Sequence, residues 1–308
     1  MDCKNCGGEL KKVGSKYVCK CCGSEFEESA FAPSAPTVNA PSYNPAPRGG
    51  NVNNGKLSGE EIYDKLIPSS VEIYVENQKS AAAASGFFVS SQGFVVTNAH
   101  AVVDYTGKLF DSIYVKIKSE YYPALPVALG APWGSKNNSV DLCLLYVPDL
   151  DSRSKAVELG SMDNVRNGQT VYLIGNSLGA GTCITSGIIS DRSREITGVK
   201  HPIIVTDAAA NHGNSGGPLV DSTGKVIGVL VAGIDGAKGM NYAIPVNVLD
   251  DFLTYVIKEA RLDASKMGEL SSYAMSTSRY AMDFAMAISG VKLIADVISY
   301  IVQLFRKK

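Results

Sequence analysis

Charge of one sign is what this chain most conspicuously lacks: 29 Lys and Arg stand against 30 Asp and Glu in 308 residues. A protein that lies along nucleic acid through a broad basic face neutralises many phosphates, and a net charge of −1 does not provide for that. Uncharged apolar runs near the roughly 20 residues of a membrane-spanning helix are also missing. The most apolar stretch, toward the C terminus, is broken by Asp283, Lys292 and Asp296. The opening residues, Met1-Asp2-Cys3-Lys4-Asn5-Cys6, lack the apolar core of a secretory signal, so a cytoplasmic, reducing location is the expectation. Cysteine is scarce beyond the N terminus: five of the seven lie between Cys3 and Cys22, and only Cys143 and Cys183 follow. That distribution argues against a protein-wide disulfide framework and for one local metal site. Histidine is scarcer still, with His100, His201 and His212 the complete set.

What is present falls into four regions. Residues 1–28 contain Cys3-x-x-Cys6-Gly7 and Cys19-x-x-Cys22-Gly23, with twelve residues between Cys6 and Cys19. Two such turns bring four thiolates together tetrahedrally, the arrangement of a structural zinc ribbon, with Cys3, Cys6, Cys19 and Cys22 as the Zn²⁺ ligands and Cys21 left over. In so short a segment the metal would supply the folding free energy. Five lysines make this region locally basic, but Glu25, Glu27 and Glu28 follow and no aromatic ladder accompanies them, so a protein-contact or structural role is expected ahead of nucleic-acid binding. Residues 29–56 are a flexible, disordered linker by composition: 21 of these 28 residues are Ala, Pro, Asn, Gly or Ser. Such a segment cannot bury enough apolar surface to offset its ordering entropy, and coil scaling gives it a span of about 30 Å.

Residues 57–263 alternate short β-branched and aromatic runs with Gly, Asn, Asp and Pro, among them Val71–Val75, Phe94–Thr97, Ile113–Ile117, Leu142–Val147, Val171–Ile174 and Val226–Val231. Many short strands with no helix-length run between them indicate an all-β barrel or sandwich, and about 200 residues suffice for two small barrels. A helix starting near Asn247, with Lys258 and Arg261 at its end, closes the region. The tail, 264–308, reads as helical and amphipathic, with Ser289, Lys292, Asp296, Ser299, Gln303 and Arg306 on one stripe. The other faces are apolar, so packing of this helix on the domain or on another subunit is the favoured role, and a membrane surface is the other role left open.

Chemistry concentrates in Asn211-His212-Gly213-Asn214-Ser215-Gly216-Gly217-Pro218. A serine hydroxyl needs a base, a group that orients the base, and amide donors for the oxyanion formed on attack. Glycines around Ser215 permit a tight turn aiming the Gly213 and Ser215 amides at one spot. His201 precedes proline and reads as a loop residue, and His212 is too near Ser215 to be its base and suits a cleft wall. His100 ends the strand-like run from Gly93 and is the candidate base. Asp141, opening the apolar run Leu142–Leu145, is the candidate orienter; Asp104 and Asp111 read as solvated loop acids.

Thr97-Asn98-Ala99-His100, Asp141-Leu142-x-Leu144-Leu145 and Thr206-Asp207-Ala208-Ala209-x-Asn211-x-Gly213-Asn214-Ser215-Gly216-Gly217-Pro218-Leu219 together resemble the three triad blocks of the HtrA (Deg) serine proteases. Ile174–Gly179 with Thr185–Ser190, and Met240–Val246, resemble further strands of that family, so the similarity covers about residues 68–260. The resemblance implies a chymotrypsin-like pair of six-stranded β-barrels and peptide-bond hydrolysis through an acyl-enzyme, with no cofactor for catalysis. It implies Ser215 as nucleophile, His100 as base, Asp141 as orienter, and Gly213 and Ser215 amides as the oxyanion hole. Gly175-Asn176-Ser177 repeats the tripeptide at Ser215, but the family has a structural turn there. The family's specificity-pocket position, six residues before the nucleophile, is Ala209; without an acid there a Lys or Arg side chain would be buried unpaired, so small or aliphatic side chains are expected at the scissile position. The 46 residues after Leu262 are too few for the PDZ domain usual in this family. Protein or peptide substrates follow from the resemblance. The alternative function is targeting or binding, with ribbon and tail localising a weakly active or inactive protease-like domain.

Overall fold

Strand after strand within residues 57–263 sends alternate side chains to two different cores. In the computed structural model, Phe94 and Val96 enter one buried cluster while Val95 between them enters another; Leu144 and Tyr146 part from Cys143 and Leu145 in the same way. A side-chain period of two with both faces buried gives a continuous apolar run, which is how these segments read in sequence. The structure describes residues 10–14, 16–20, 24–27, 55–133, 140–148, 150, 154–233, 239–259 and 292–293. The chain divides into two units, Met1–Val52 and Asn53–Lys308.

In the first unit, β1 (Leu10–Val13), β2 (Lys16–Cys19) and β3 (Glu25–Glu27) form an antiparallel sheet in that order. Cys19 ends β2, is buried, and its amide donates to the Ser24 carbonyl at 2.9 Å. Cys3, Cys6 and Cys22 lie outside the described residues, as does all of the linker assigned to 29–56 except Gly55 and Lys56.

The second unit begins with a helix the sequence reading did not contain. α1 (Gly59–Leu66) starts with a capping box: Ser58 Oγ accepts the Glu61 amide and the Glu61 carboxylate accepts the Ser58 amide. Its buried face, Ile62 and Leu66, joins the largest apolar cluster, and Lys65 bridges to Glu158 at 3.0 Å. The first sheet then comprises β4 (Ser70–Glu76), β5 (Ala81–Phe88), β6 (Phe94–Thr97), β7 (Ser112–Ile117), β8 (Glu120–Pro123), β9 (Leu125–Leu129) and β10 (Cys143–Tyr146). The second is a closed antiparallel barrel of β11 (Thr170–Asn176), β12 (Thr182–Arg194), β13 (Ile203–Thr206), β14 (Pro218–Asp221), β15 (Val226–Gly233) and β16 (Asn241–Pro245), with its own buried cluster. α2 (Val246–Glu259) follows β16 directly and buries Leu249, Phe252, Leu253 and Val256 in the largest cluster.

One expectation changes. The first sheet, ordered β9-β10-β6-β5-β4-β7-β8 with one more strand outside β9, is not closed by hydrogen bonds. β8 and β9 sit near opposite edges of the sheet yet are joined by Ala124 alone, so the sheet curls round and a bend of the chain, not a ladder, completes it. The tail, expected to be helical, is described only at Lys292 and Leu293. These form β17 (Lys292–Leu293), antiparallel to β9 with Lys292 opposite Leu129, because the outer edge of β9 offers a ladder to any extended segment. Arg261 and the rest of 264–308 lie outside the described residues. Among those residues no helix is long and apolar enough to cross a membrane.

Candidate active site

β6 and β10 pair with Thr97 opposite Cys143, which brings the residues just after the one strand beside those just before the other. His100 and Asp141 meet there. His100 Nδ1 lies 2.7 Å from Asp141 Oδ2, and the His100 backbone amide donates to Asp141 Oδ1 at 2.9 Å, so both carboxylate oxygens hold one residue. Asn98 Nδ2 donates to the Asp141 carbonyl at 2.9 Å and fixes the turn between them. Asp141 is 2% exposed, whereas the His100 side chain is one-third exposed, on the cleft side. Burial pulls the imidazole toward its neutral form, but the charge of Asp141 and its hydrogen bond outweigh that and hold the His100 pKa above the ordinary value.

Ser215 sits in the turn between β13 and β14. The turn is wedged against the first sheet so closely that glycine is required at Gly216, φ +84°, where a Cβ would lie 2.2 Å from the Ser85 carbonyl oxygen. At Gly213, φ +93°, it would lie 2.2 Å from the Asn176 carbonyl oxygen. Among the described residues neither the Gly213 nor the Ser215 amide has a protein acceptor. His100, Ser215, Gly213 and His212 line one open cleft of about 530 Å³. The Ser215 hydroxyl donates to the Val231 carbonyl at 2.8 Å and not to His100. With Nδ1–H donating to Asp141, the remaining ring nitrogen, Nε2, is the free acceptor, and a rotation of the serine side chain is what would offer it the proton.

The other sequence candidates separate cleanly. Asp104 accepts from Thr106 and Lys108 within its own turn, and Asp111 pairs with Lys108 at 3.3 Å. Ser177 accepts from Asn211 Nδ2 at 3.0 Å and does not line the cleft. His201, expected in a loop, is buried at 7% exposure, where burial holds its pKa below the ordinary value. Ala209 is exposed, is not part of the cleft lining, and accepts Thr185 Oγ1 at its carbonyl. Among the described residues no group of three or more His, Cys, Asp or Glu could hold a metal ion; three of the four cysteines read as zinc ligands lie outside them.

Two positioning residues escaped the sequence reading. Ser85, 1% exposed, donates through Oγ to the Gly213 carbonyl and accepts the Asn176 amide there, both at 2.7 Å, while its own amide donates to the Ser215 carbonyl at 2.8 Å. Ser85 therefore ties the first sheet to the serine turn twice, through its hydroxyl at Gly213 and its amide at Ser215, and to the end of β11 at Asn176; the only local signal was a polar residue ending an alanine run. Leu178, at φ +57°, donates its amide to the His212 carbonyl at 2.7 Å. A trans peptide whose carbonyl is held that way points its N–H, that of Gly213, to the opposite side.

A strand-built His–Asp pair facing a glycine-flanked serine across a cleft defines the class: a trypsin-like serine protease domain. The family model of the trypsin-like peptidase domain matches residues 84–229. A probable periplasmic serine endoprotease DegP-like of Bartonella henselae is 32% identical over 214 residues, 68% of this chain and 40% of that protein. Its counterpart in Chlamydia pneumoniae is 29% identical over 241 residues, 77% of this chain and 46% of that protein. Among solved structures, an HtrA-type protease AlgW with tripeptide has a TM-score of 0.56 at 28% identity, covering 66% of this chain and 65% of that one. The serine endoprotease from Yersinia pestis has a TM-score of 0.54 at 26% identity, covering 66% and 68%. Over about two thirds of its length the chain is similar to HtrA-type trypsin-like serine proteases. It spans less than half the length of these two curated relatives.

The relatives also correct the expected location. Those from Bartonella, Chlamydia and Rickettsia are named periplasmic, which points outside the cytoplasm. The cytoplasmic expectation rested on the first residues of the chain, and a barrel fold is physically indifferent to the compartment in which it works.

Proposed function

We propose that this protein is a serine endopeptidase that cleaves peptide bonds through an acyl-enzyme, with Ser215 attacking, His100 as general base and then general acid, and Asp141 orienting His100. The observation that carries the reading is the two-point clasp of Asp141 on His100, opening on a cleft shared with Ser215 and two unpartnered amides. Rotation of the Ser215 side chain from Val231 toward His100 precedes attack. The Gly213 and Ser215 amides then receive the oxyanion, an electrostatic contribution of about 3 kcal/mol per donor in related chemistry. The preference for small or aliphatic side chains at the scissile position is carried over from the family resemblance, whose pocket position holds Ala209 and no acid, although here Ala209 is exposed and outside the cleft lining; the substrates are protein or peptide chains handled in quality control or regulated proteolysis. A structural Zn²⁺ held by Cys3, Cys6, Cys19 and Cys22 folds the N-terminal ribbon, and the tail serves association with another copy or a membrane surface.

A fluorophosphonate probe tests the core of this reading. Wild-type protein is expected to label and Ser215→Ala to lose labelling entirely; labelling that survives in Ser215→Ala overturns the assignment of the nucleophile. In a peptide library, preferred cleavage after Lys or Arg would overturn the specificity assigned to Ala209.

A further inference from the structure

The cleft continues, past the strand β5, into a second concavity that the proposed chemistry does not use. Ala82 and Ala83 line both the cleft and a groove of about 500 Å³ whose other walls are Tyr74, Glu76, Tyr114 and Tyr121. Strand register explains the grouping. Tyr74 stands opposite Ala83 on one side and Tyr114 on the other, Glu76 stands opposite Ala81, and Tyr121 stands opposite Lys116, so alternate residues of four strands present one face. Small methyls on β5 leave a floor between aromatic walls.

Those walls are held in place. Lys116 bonds to both Glu72 oxygens at 3.3 Å and sits 5.7 Å and 5.9 Å from the Tyr74 and Tyr121 ring centroids. Tyr74 donates to Glu72 at 2.7 Å and meets Tyr121 edge-on at 5.3 Å. Glu72 and Lys116 thus neutralise each other, while Glu76 is exposed and pairs with no cation among the described residues. The groove is apolar with one net negative charge at its end.

The edge of β5 supplies the route into it. β5 pairs with β6 only at Phe87 and Phe88, so no strand among those described covers Ala81–Ala84 on the cleft side. The Ser85 amide points away from β4, to Ser215; by the alternation of an antiparallel ladder the amide and carbonyl of Ala83, two residues earlier, face the same way. An extended peptide leaving Ser215 can pair with Ala83, and residues directly opposite in such a pair share a face of the sheet.

We infer that this groove is a binding site for the part of the substrate on the leaving-group side of the scissile bond. It takes a large apolar or aromatic side chain at the residue paired with Ala83 and a Lys or Arg side chain two residues further on, beside Glu76. The inference rests on the endopeptidase reading and adds its recognition of downstream sequence. Continuity with the cleft, the unpaired strand edge and the uncompensated carboxylate fix the occupant as a basic, extended peptide segment.

Two measurements separate this site from the chemistry. In the first, wild type, Tyr121→Ala and Glu76→Lys hydrolyse peptides sharing one upstream half and differing in length and charge downstream. Tyr121→Ala is expected to lower the long-to-short ratio of kcat/KM about tenfold, the equivalent of roughly 1.4 kcal/mol. Glu76→Lys is expected to switch the preference from a Lys-containing to a Glu-containing downstream segment. In the second, anisotropy of a labelled downstream peptide with Ser215→Ala gives affinity without turnover. Both side chains are exposed, so loss of folding is not expected. Hydrolysis with ratios that neither substitution changes overturns the groove and leaves the peptidase standing. Peptide binding that depends on Tyr121 and Glu76 without hydrolysis by wild type keeps the groove and overturns the peptidase reading.

Discussion

His100 is held at two points by a single buried carboxylate, and the direction of its pKa follows from the contest there. Desolvation favours neutral imidazole, Asp141 favours imidazolium, and the carboxylate wins. A general base works only when neutral, so kcat/KM is expected to rise with pH through a value above the ordinary histidine pKa of about 6.5. Asp141→Asn removes the charge and favours the wrong tautomer; kcat should fall by ~10⁴, and the acid limb of the residual activity should move to lower pH because only desolvation remains. A profile whose acid limb stays in place in Asp141→Asn would sink this account. The contribution of the pair to stability has the same sign: it is complete below the unfolded pKa and lost as pH rises through the folded one. The meeting of His100 with Asp141 was legible, because three histidines leave few combinations, while the choice of Ser215 over Ser177 came from the family resemblance. Ser85 and Leu178 were not, since what they do depends on contacts that only the folded chain creates: Ser85 reaches Asn176 and Gly213, 91 and 128 residues away, and Leu178 reaches the His212 carbonyl.

At the scale of elements, burial on both faces made the strands easy to find and one helix easy to miss. α1 has only eight residues and two fully committed apolar positions, too few for a helical period, although Ser58 and Glu61 carried the capping signature. Ser58→Ala removes that box and should cost ~1 kcal/mol, a fall in Tm of about 3 °C for a domain this size, read by thermal melting. α2 contains a strain of a different kind. Burial, reinforced by neighbouring Asp250, pushes the Asp251 carboxyl up to about 6. A carboxyl raised on folding lowers stability as pH climbs from the ordinary carboxylate range through about 6, and the penalty is complete above that. Asp251→Asn is therefore expected to melt higher than wild type at pH 8, with the difference vanishing by about pH 4. Equal melting temperatures at pH 8 would show that the helix relaxes around the charge.

The whole molecule joins two units of very different physical character. Residues 53–308 contain three buried apolar clusters, with phenylalanines such as Phe87, Phe94 and Phe252 fully enclosed. In the first unit, strands of four, four and three residues carry one buried hydrophobic side chain among the described residues, Cys19. Strands this short supply little apolar area to offset the entropy of ordering them, so the proposed ribbon would draw its stability from the metal for which the Cys-x-x-Cys-Gly repeat supplies thiolates. Removing zinc should then unfold the first unit alone. With one equivalent of zinc per chain at the outset, a strong chelator is expected to release the metal and expose the N-terminal thiols to a thiol reagent; Cys143, enclosed in the core of the first sheet, stays unreactive because burial also pushes its pKa far up. The melting transition of the protease unit should not move, since the described residues of that unit already build three buried clusters among themselves. A chelator that lowers that transition would mean that the ribbon braces the protease, and a chain that folds its first unit without zinc would remove the metal from the account altogether.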